Sequence, residues 1–224
     1  QQPLRARMCG FGEKDRRPCT PPPILQLFIY DRVTGQHIDI EHIDTSFFTA
    51  TCNLFSADMD TEMDLIRQRN SHDSGHGSSS SSAVAAAAAA AAAAMMQKSI
   101  QQQTQLDPPM SVGGSPSDTV RNLIGSSIST GSKLQNLDSS LGIFFVFPDL
   151  SIRKDGEYRL RFSFFDLRSE TGDLIRTSSP IMARTFSDPF KVYSAKQFPG
   201  MIESTSLSKH FAKQGVKIPV RKES

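Results

Sequence analysis

Five cations lie within the first seventeen residues: Arg5, Arg7, Lys14, Arg16 and Arg17. They interleave with Gly10 and Gly12, and the run ends at Pro18. Arginine presents a planar fork that fits a phosphate or the edge of a guanine. Glycine lets backbone amides come close to a phosphate. The chemistry open to this stretch is anion recognition, and a DNA-contacting loop is one structure that would deliver it. A solvated basic arm pairing with the acidic residues 31–74 fits the composition equally well.

Other chemistry is thinly represented. Gly10-Phe11-Gly12-Glu13-Lys14 superficially resembles a phosphate loop. It lacks the four-residue spacer before Gly-Lys and the hydroxyl residue that would hold magnesium, and Pro18 and Pro21 prevent a following helix. No Gly-x-Ser-x-Gly, His-Glu-x-x-His or Cys-x-x-Cys occurs. Cys9 and Cys19 are ten residues apart with no histidine between them, which is poor spacing for zinc. His37 and His42, among Asp39, Glu41 and Asp44, read as a solvated loop. His72 and His76 sit in a stretch that would not preorganise ligands. Asp58/Asp60 and Glu62/Asp64 alternate with apolar residues and read as a solvated face rather than an acid–base pair. No enzymatic activity, cofactor or metal is expected.

The averages over 224 residues conceal how charge and bulk are distributed. Lys and Arg number 25 against 23 Asp and Glu, a net of +2, which excludes a strongly polybasic tail but not a local basic patch. Residues 1–17 carry a net of +3, residues 191–224 a net of +5 and residues 31–74 a net of −6. Three cysteines are too few, and odd in number, for a disulfide scaffold, so a reducing compartment is expected. No signal peptide or Asn-x-Ser/Thr acceptor is visible, and the chain opens at Gln1, as a fragment or trimmed chain would. The ten alanines Ala85–Ala94 are too few and too weakly hydrophobic to span a membrane.

The elements that must position the arm flank a compositional break. Residues 67–117 contain no aromatic residue, and 16 of the 17 residues Ser78–Ala94 are Ser or Ala. Such a stretch cannot bury enough apolar surface to offset its ordering entropy, so 67–117 reads as a disordered low-complexity insertion. All 18 Phe and Tyr lie in the remaining 173 residues, enough for one sandwich-sized domain. Those parts are β-rich. Ile24–Tyr30, Phe47–Phe55 and Ile143–Phe147 read as strands, the last a continuous apolar run buried on both faces and stopped at Pro148. Tyr158, Leu160, Phe162 and Phe164 alternate with Arg159, Arg161 and Ser163, giving an inward aromatic face and an outward polar one. Further strands are expected at Leu174–Ile175, Ile181–Phe186 and Phe190–Tyr193. One helix is expected, capped by Ser204 or Thr205, with Leu207 and Phe211 on one face and Gly215 as the stop. Thr20-Pro21, Ser115-Pro116 and Ser179-Pro180 match proline-directed phosphorylation, and a phosphate on Thr20 would oppose anion binding by Arg16 and Arg17.

Several blocks together resemble the velvet domain of fungal developmental regulators. They are Arg7-Met8-Cys9-Gly10-Phe11-Gly12-Glu13-Lys14-Asp15-Arg16-Arg17-Pro18 with Pro21-Pro22-Pro23, Asn122-Leu123-Ile124-Gly125, Phe145-Val146-Phe147-Pro148-Asp149-Leu150-Ser151-Ile152-Arg153, and Gly156-Glu157-Tyr158-Arg159-Leu160-Arg161-Phe162. Val192-Tyr193-Ser194-Ala195-Lys196-Gln197-Phe198-Pro199-Gly200-Met201 and Gln214-Gly215-Val216-Lys217-Ile218-Pro219-Val220-Arg221-Lys222 complete the set. The split by an insertion and the Ile202-Glu203-Ser204-Thr205 ending are most like the B-type branch of that family, with the spore-viability and C-type branches close by. The resemblance implies one velvet domain over residues 1–224, interrupted at 67–117. It implies an all-β immunoglobulin-like sandwich, similar to the Rel homology domain, with a C-terminal helix. It also implies a regulator of development, sporulation and secondary metabolism that binds double-stranded DNA in sequence-specific fashion through Arg5, Arg7, Lys14, Arg16 and Arg17. Such proteins act as homo- or heterodimers with other velvet-family proteins, in nucleus and cytoplasm. The alternative is a dimerising adaptor with little DNA binding of its own. A methyltransferase-like regulator of secondary metabolism is among the partners the resemblance implies.

Overall fold

The computed structural model describes residues 1–12, 16–67, 119–169, 171–175 and 178–221. The chain divides into two units, Gln1–Ile66 with Thr119–Ser224, and Arg67–Asp118. The second, which holds the expected insertion, lies almost wholly outside the described residues, as does Lys14.

The first unit is an all-β sandwich with one C-terminal helix. Thirteen strands are described: β1 (Arg5–Arg7), β2 (Ile24–Leu27), β3 (Phe48–Ser56), β4 (Leu65–Arg67), β5 (Thr119–Arg121), β6 (Leu123–Ile124), β7 (Ile128–Thr130), β8 (Ser132–Gln135), β9 (Leu141–Val146), β10 (Ser151–Ile152), β11 (Gly156–Asp166), β12 (Ala183–Phe186) and β13 (Phe190–Tyr193). The larger sheet runs β1-β13-β11-β3-β7, with β12 also pairing β11, and the smaller runs β2-β9-β8. At one corner the sheets share a strand, since β7 pairs with β3 while β8, its continuation past Gly131, pairs with β9. A Cβ on Gly131 would meet Phe48 Cβ at 3.0 Å and the Phe145 ring at 3.3 Å, so a larger residue there would push the two layers apart by a few tenths of an ångström. The ladders β4-β5 and β6-β10 complete the unit. β4 and β5 pair with each other although residues 68–118 separate them in sequence.

Alternation in β11 holds from Tyr158 to Phe162 and then breaks, because Ser163, expected on the outward polar face, is buried, and Phe164 is only partly so. Tyr158, Leu160 and Phe162 are buried, while Arg159 and Arg161 point away from the core. The layers interlock through aromatic pairs, Phe147 on Phe162 at 5.3 Å and Phe145 on Phe164 at 5.8 Å between ring centroids, and Phe48 of the neighbouring strand β3 meets the same Phe164 ring at 5.2 Å. β9 is covered on both faces. Ile143 and Phe145 enter the main core, while Phe144 packs with Phe211 and Ile218 on the other side. That second face is sealed by α1 (Ser206–Lys213), whose N-cap is Thr205 with its Oγ1 accepting from Ser208 N. Gln214, just past the helix, donates from Nε2 to the Gln135 carbonyl and accepts from Gln135 N, which caps the free edge of β8 at that point.

Two expectations need adjusting. Leu174 makes only a bridge to Arg168 rather than a strand. The start of the arm is not loop, because Arg5–Arg7 form an edge strand parallel to β13. The reason is local alternation: Ala6 is fully buried in the core while Arg5 and Arg7 face outward.

Phe211 is fully buried and meets Phe144 edge-on at 4.7 Å. Phe211→Ala is expected to cost about 3–5 kcal/mol, the usual range for deleting a buried ring. Urea unfolding followed by far-ultraviolet circular dichroism measures this, and a loss below about 1 kcal/mol would mean α1 is not packed on β9 as described.

Candidate nucleic-acid interface

Beyond the β1–β13 pairing, two limbs of the arm meet on one rail, residues Asp149–Arg153. One limb of the arm runs Met8–Gly10. Met8 N donates to Tyr193 O at 2.8 Å, Cys9 N to Ile152 O at 2.9 Å and Gly10 N to Arg153 O at 3.0 Å. The returning limb runs Arg16–Thr20. Arg16 Nη2 donates to Asp149 O at 3.2 Å, Ser151 Oγ donates to Arg17 O at 3.2 Å and Cys19 N donates to Leu150 O at 2.7 Å. Both limbs therefore hang on the same five residues, and Gly10–Gly12 and Arg16–Arg17 emerge at one rim.

The rail is itself anchored by Asn122, which is fully buried. Its Nδ2 donates to Met63 O at 3.1 Å and its N to Asp64 O at 2.6 Å. Its backbone carbonyl accepts from Arg153 N at 3.0 Å, and its Oδ1 from Lys154 N at 3.1 Å. A buried amide whose donors and acceptors are partnered rigidifies its surroundings, whereas one left half-satisfied would be costly. Asp64 adds a further tie, accepting from Leu54 N at 2.7 Å and Asn53 Nδ2 at 2.7 Å.

Arg16 is held by Asp149. Its guanidinium lies 3.9 Å from Asp149 Oδ2, a half-exposed pair that contributes little stability but fixes direction. Ser126 N donates to Asp149 Oδ1 at 2.9 Å, which orients the carboxylate. Gly125 makes this possible. It sits at φ +103°, and a Cβ there would lie 2.4 Å from Asp149 O and 3.1 Å from Arg16 Nη2.

Of the residues singled out from sequence, Arg16 and Arg17 are exposed at the rim, and Arg7 faces outward from β1 in register with Tyr193. Arg5 sits further from the turn, bridged to Thr20 and in register with Lys191. Lys14 falls outside the described residues. The partner of Arg16 is Asp149, which lies outside the acidic segment 31–74. Sequence reasoning missed Arg153. Its Nη1 donates to Gly10 O at 2.9 Å and its Nε to Arg121 O at 2.9 Å, so one guanidinium from far along the chain reaches the arm's turn. Its signal lay in the Leu150-Ser151-Ile152-Arg153 block, but nothing local tied that block to the arm.

The structure also bears on the other candidate chemistry. Thr20 is 4% exposed, and its Oγ1 accepts from Ile202 N at 3.3 Å, so the hydroxyl is not presented to a kinase in the folded chain. Cys9, Cys19 and Cys52 form no disulfide, and Cys9 Sγ donates to Ile152 O at 3.3 Å. Burial pushes the Cys19 thiol up to about 12 and raises Cys52 well above its ordinary value, which leaves both as protonated core residues. His37 packs edge-on against Phe28 at 6.1 Å and Tyr30 at 5.5 Å. Among the described residues no group of three or more His, Cys, Asp or Glu side chains is placed to hold a metal ion, and no helix is long and apolar enough to cross a membrane.

A family model described as Velvet factor matches residues 1–224. The chain is 39% identical, over its whole length, to a protein of Aspergillus flavus named as the B-type member of the velvet complex, covering 77% of that relative. It is 34% identical to the protein of the same name from Emericella nidulans, covering 77% of it. It is 35% identical to Velvet complex subunit 2 of Hypocrea jecorina, covering 62% of it.

Gly125→Ala is expected to cost about 1–3 kcal/mol, from the left-handed backbone and the clash with Asp149. Denaturant titration measures the loss, and an unchanged midpoint would remove Gly125 from the support of Arg16. Native protein at mildly alkaline pH should be modified by a thiol reagent at Cys9, which is half-buried, well before Cys19 or Cys52. Mass spectrometry of the partly labelled chain checks the order, and early labelling of Cys19 would contradict its burial.

Proposed function

The chain belongs to the velvet family, and from that premise we propose that it is a sequence-specific DNA-binding regulator of transcription. It acts in fungal development, sporulation and secondary metabolism, in a dimer with another velvet-family chain, in nucleus and cytoplasm. Residues 1–224 form one velvet domain on this reading, with 67–117 inserted in it. The observation that carries the reading is the rim itself. Arg16 and Arg17 emerge exposed beside the Gly10–Gly12 turn, on a rail fixed by buried hydrogen bonds, and Arg153 reaches from that rail to Gly10. Phosphate contacts from such a rim give affinity and register, and one or two arginines reading base edges give sequence preference. The net charge of +2 does not oppose this, because DNA meets the local rim and not the average. The naming of relatives as members of velvet complexes supports association with other velvet proteins, and a methyltransferase-like regulator is a further partner on this reading.

One feature favours the second reading, a dimerising adaptor. The hairpin closed by the Tyr30–His37 bridge presents Phe28 and Tyr30 at 54% and 59% exposure, with Val33 at its tip. Exposed aromatic side chains of this kind commonly anchor protein interfaces.

Arg16→Gln with Arg17→Gln should weaken binding to duplex DNA. It should also reduce the slope of log K against log salt, by about one unit for each phosphate the chain no longer neutralises. A gel-shift titration at several salt concentrations reads both quantities, first for the single chain and then for the co-purified heterodimer. An unchanged slope would remove the arm from the interface. Binding seen only with the heterodimer, and indifferent to the two substitutions, would favour the adaptor.

A further inference from the structure

We propose that Arg153 is the positioning residue of the DNA-contacting turn, clamping Gly10 from both its main chain and its side chain rather than ligating phosphate itself. This inference rests on the DNA-binding reading above, which treats the rim as the contact surface.

The bonds are reciprocal. Gly10 N donates to Arg153 O at 3.0 Å, and Arg153 Nη1 donates back to Gly10 O at 2.9 Å. One residue thus satisfies both backbone groups of the glycine at the apex of the first limb. The same guanidinium donates from Nε to Arg121 O at 2.9 Å, so a second cation-bearing strand is tied to the same fork. Its carbon lies 6.0 Å from the centroid of the Phe11 ring, which is 49% exposed. The base of the clamp is rigid, because Arg153 N donates to the carbonyl of the buried Asn122 at 3.0 Å.

The chemistry of the fork explains why arginine stands here. Two carbonyls in different directions need two N–H groups held in one plane, which a guanidinium has and an ammonium on a flexible stem does not. A side chain committed to two carbonyls is a fixed strut. It keeps Met8–Gly12 from sampling other shapes, so binding does not have to supply the ordering entropy of that turn. The phosphate contacts then fall to the other cations of the rim.

The positioning role and a direct phosphate contact predict different numbers. The test uses the full chain, its Arg153→Lys and Arg153→Gln variants, and a duplex selected by the parent chain from a random pool. Three readouts are taken: the dissociation constant against salt, the exchange rate of the Gly10 amide without DNA, and the active fraction from stoichiometric titration. Both variants should bind roughly 5- to 30-fold more weakly, the cost of reordering about one backbone residue. Their salt slope and active fraction should match the parent, and Gly10 exchange should rise while that of Leu160 and Phe162 in the core stays slow. A slope lowered by about one unit in Arg153→Gln and restored in Arg153→Lys would make Arg153 a phosphate ligand and overturn the proposal. Unchanged Gly10 exchange would overturn it as well. A parent chain that binds no duplex, with Gly10 exchange still faster in Arg153→Gln, would sink the DNA reading alone and uphold the clamp.

Discussion

The interaction on which the rest depends is the attachment of both limbs of the N-terminal arm to one rail, Asp149–Arg153. Short backbone and side-chain hydrogen bonds do this, from Cys9, Gly10, Arg16, Arg17 and Cys19 in the arm. Without them Gly10–Gly12 would be an open segment between limbs whose like charges repel, Arg5 and Arg7 on one side and Arg16 and Arg17 on the other. With them, cations widely separated in sequence share one rim. The repulsion among those charges is offset by the core beneath, where Ala6, Leu150 and Ile152 are fully buried.

That arrangement explains why the arm begins as a strand. Arg-Ala-Arg reads as a solvated basic stretch, yet a single buried alanine between two outward arginines suits an edge strand. Its partner β13 runs parallel and lies far along the sequence, so no local pattern announces the pairing. The same holds for β4–β8 and β10. They are two to four residues long and exist because neighbours supply ladder partners. By contrast β3, β9 and β11 are long and strongly patterned, and α1 carries its cap and stop in sequence. These were legible because hydrophobic periodicity and turn chemistry are local signals. The candidate site divides the same way. Arg16 and Arg17 were visible from charge density, whereas Arg153 comes to the arm through tertiary bonds alone.

Two uncharged residues support the rim. Asn122, buried and polar, uses its side-chain amide and its main chain to bind Met63, Asp64, Arg153 and Lys154. Gly125 leaves room for the Asp149 carbonyl and so for the guanidinium of Arg16. Neither would be chosen from composition as part of an anion site. Their role is geometric: they decide where charge points, while the arginines supply the charge.

The central claim is that this preformed rim is the surface that meets DNA. Hydrogen–deuterium exchange of the full chain, with and without a saturating duplex, tests it most directly. The account predicts protection at Met8–Gly12, Arg16–Arg17 and Leu150–Lys154 in the same titration. Protection confined to the basic C-terminal residues Lys209–Arg221, with the rail and arm unaffected, would contradict it.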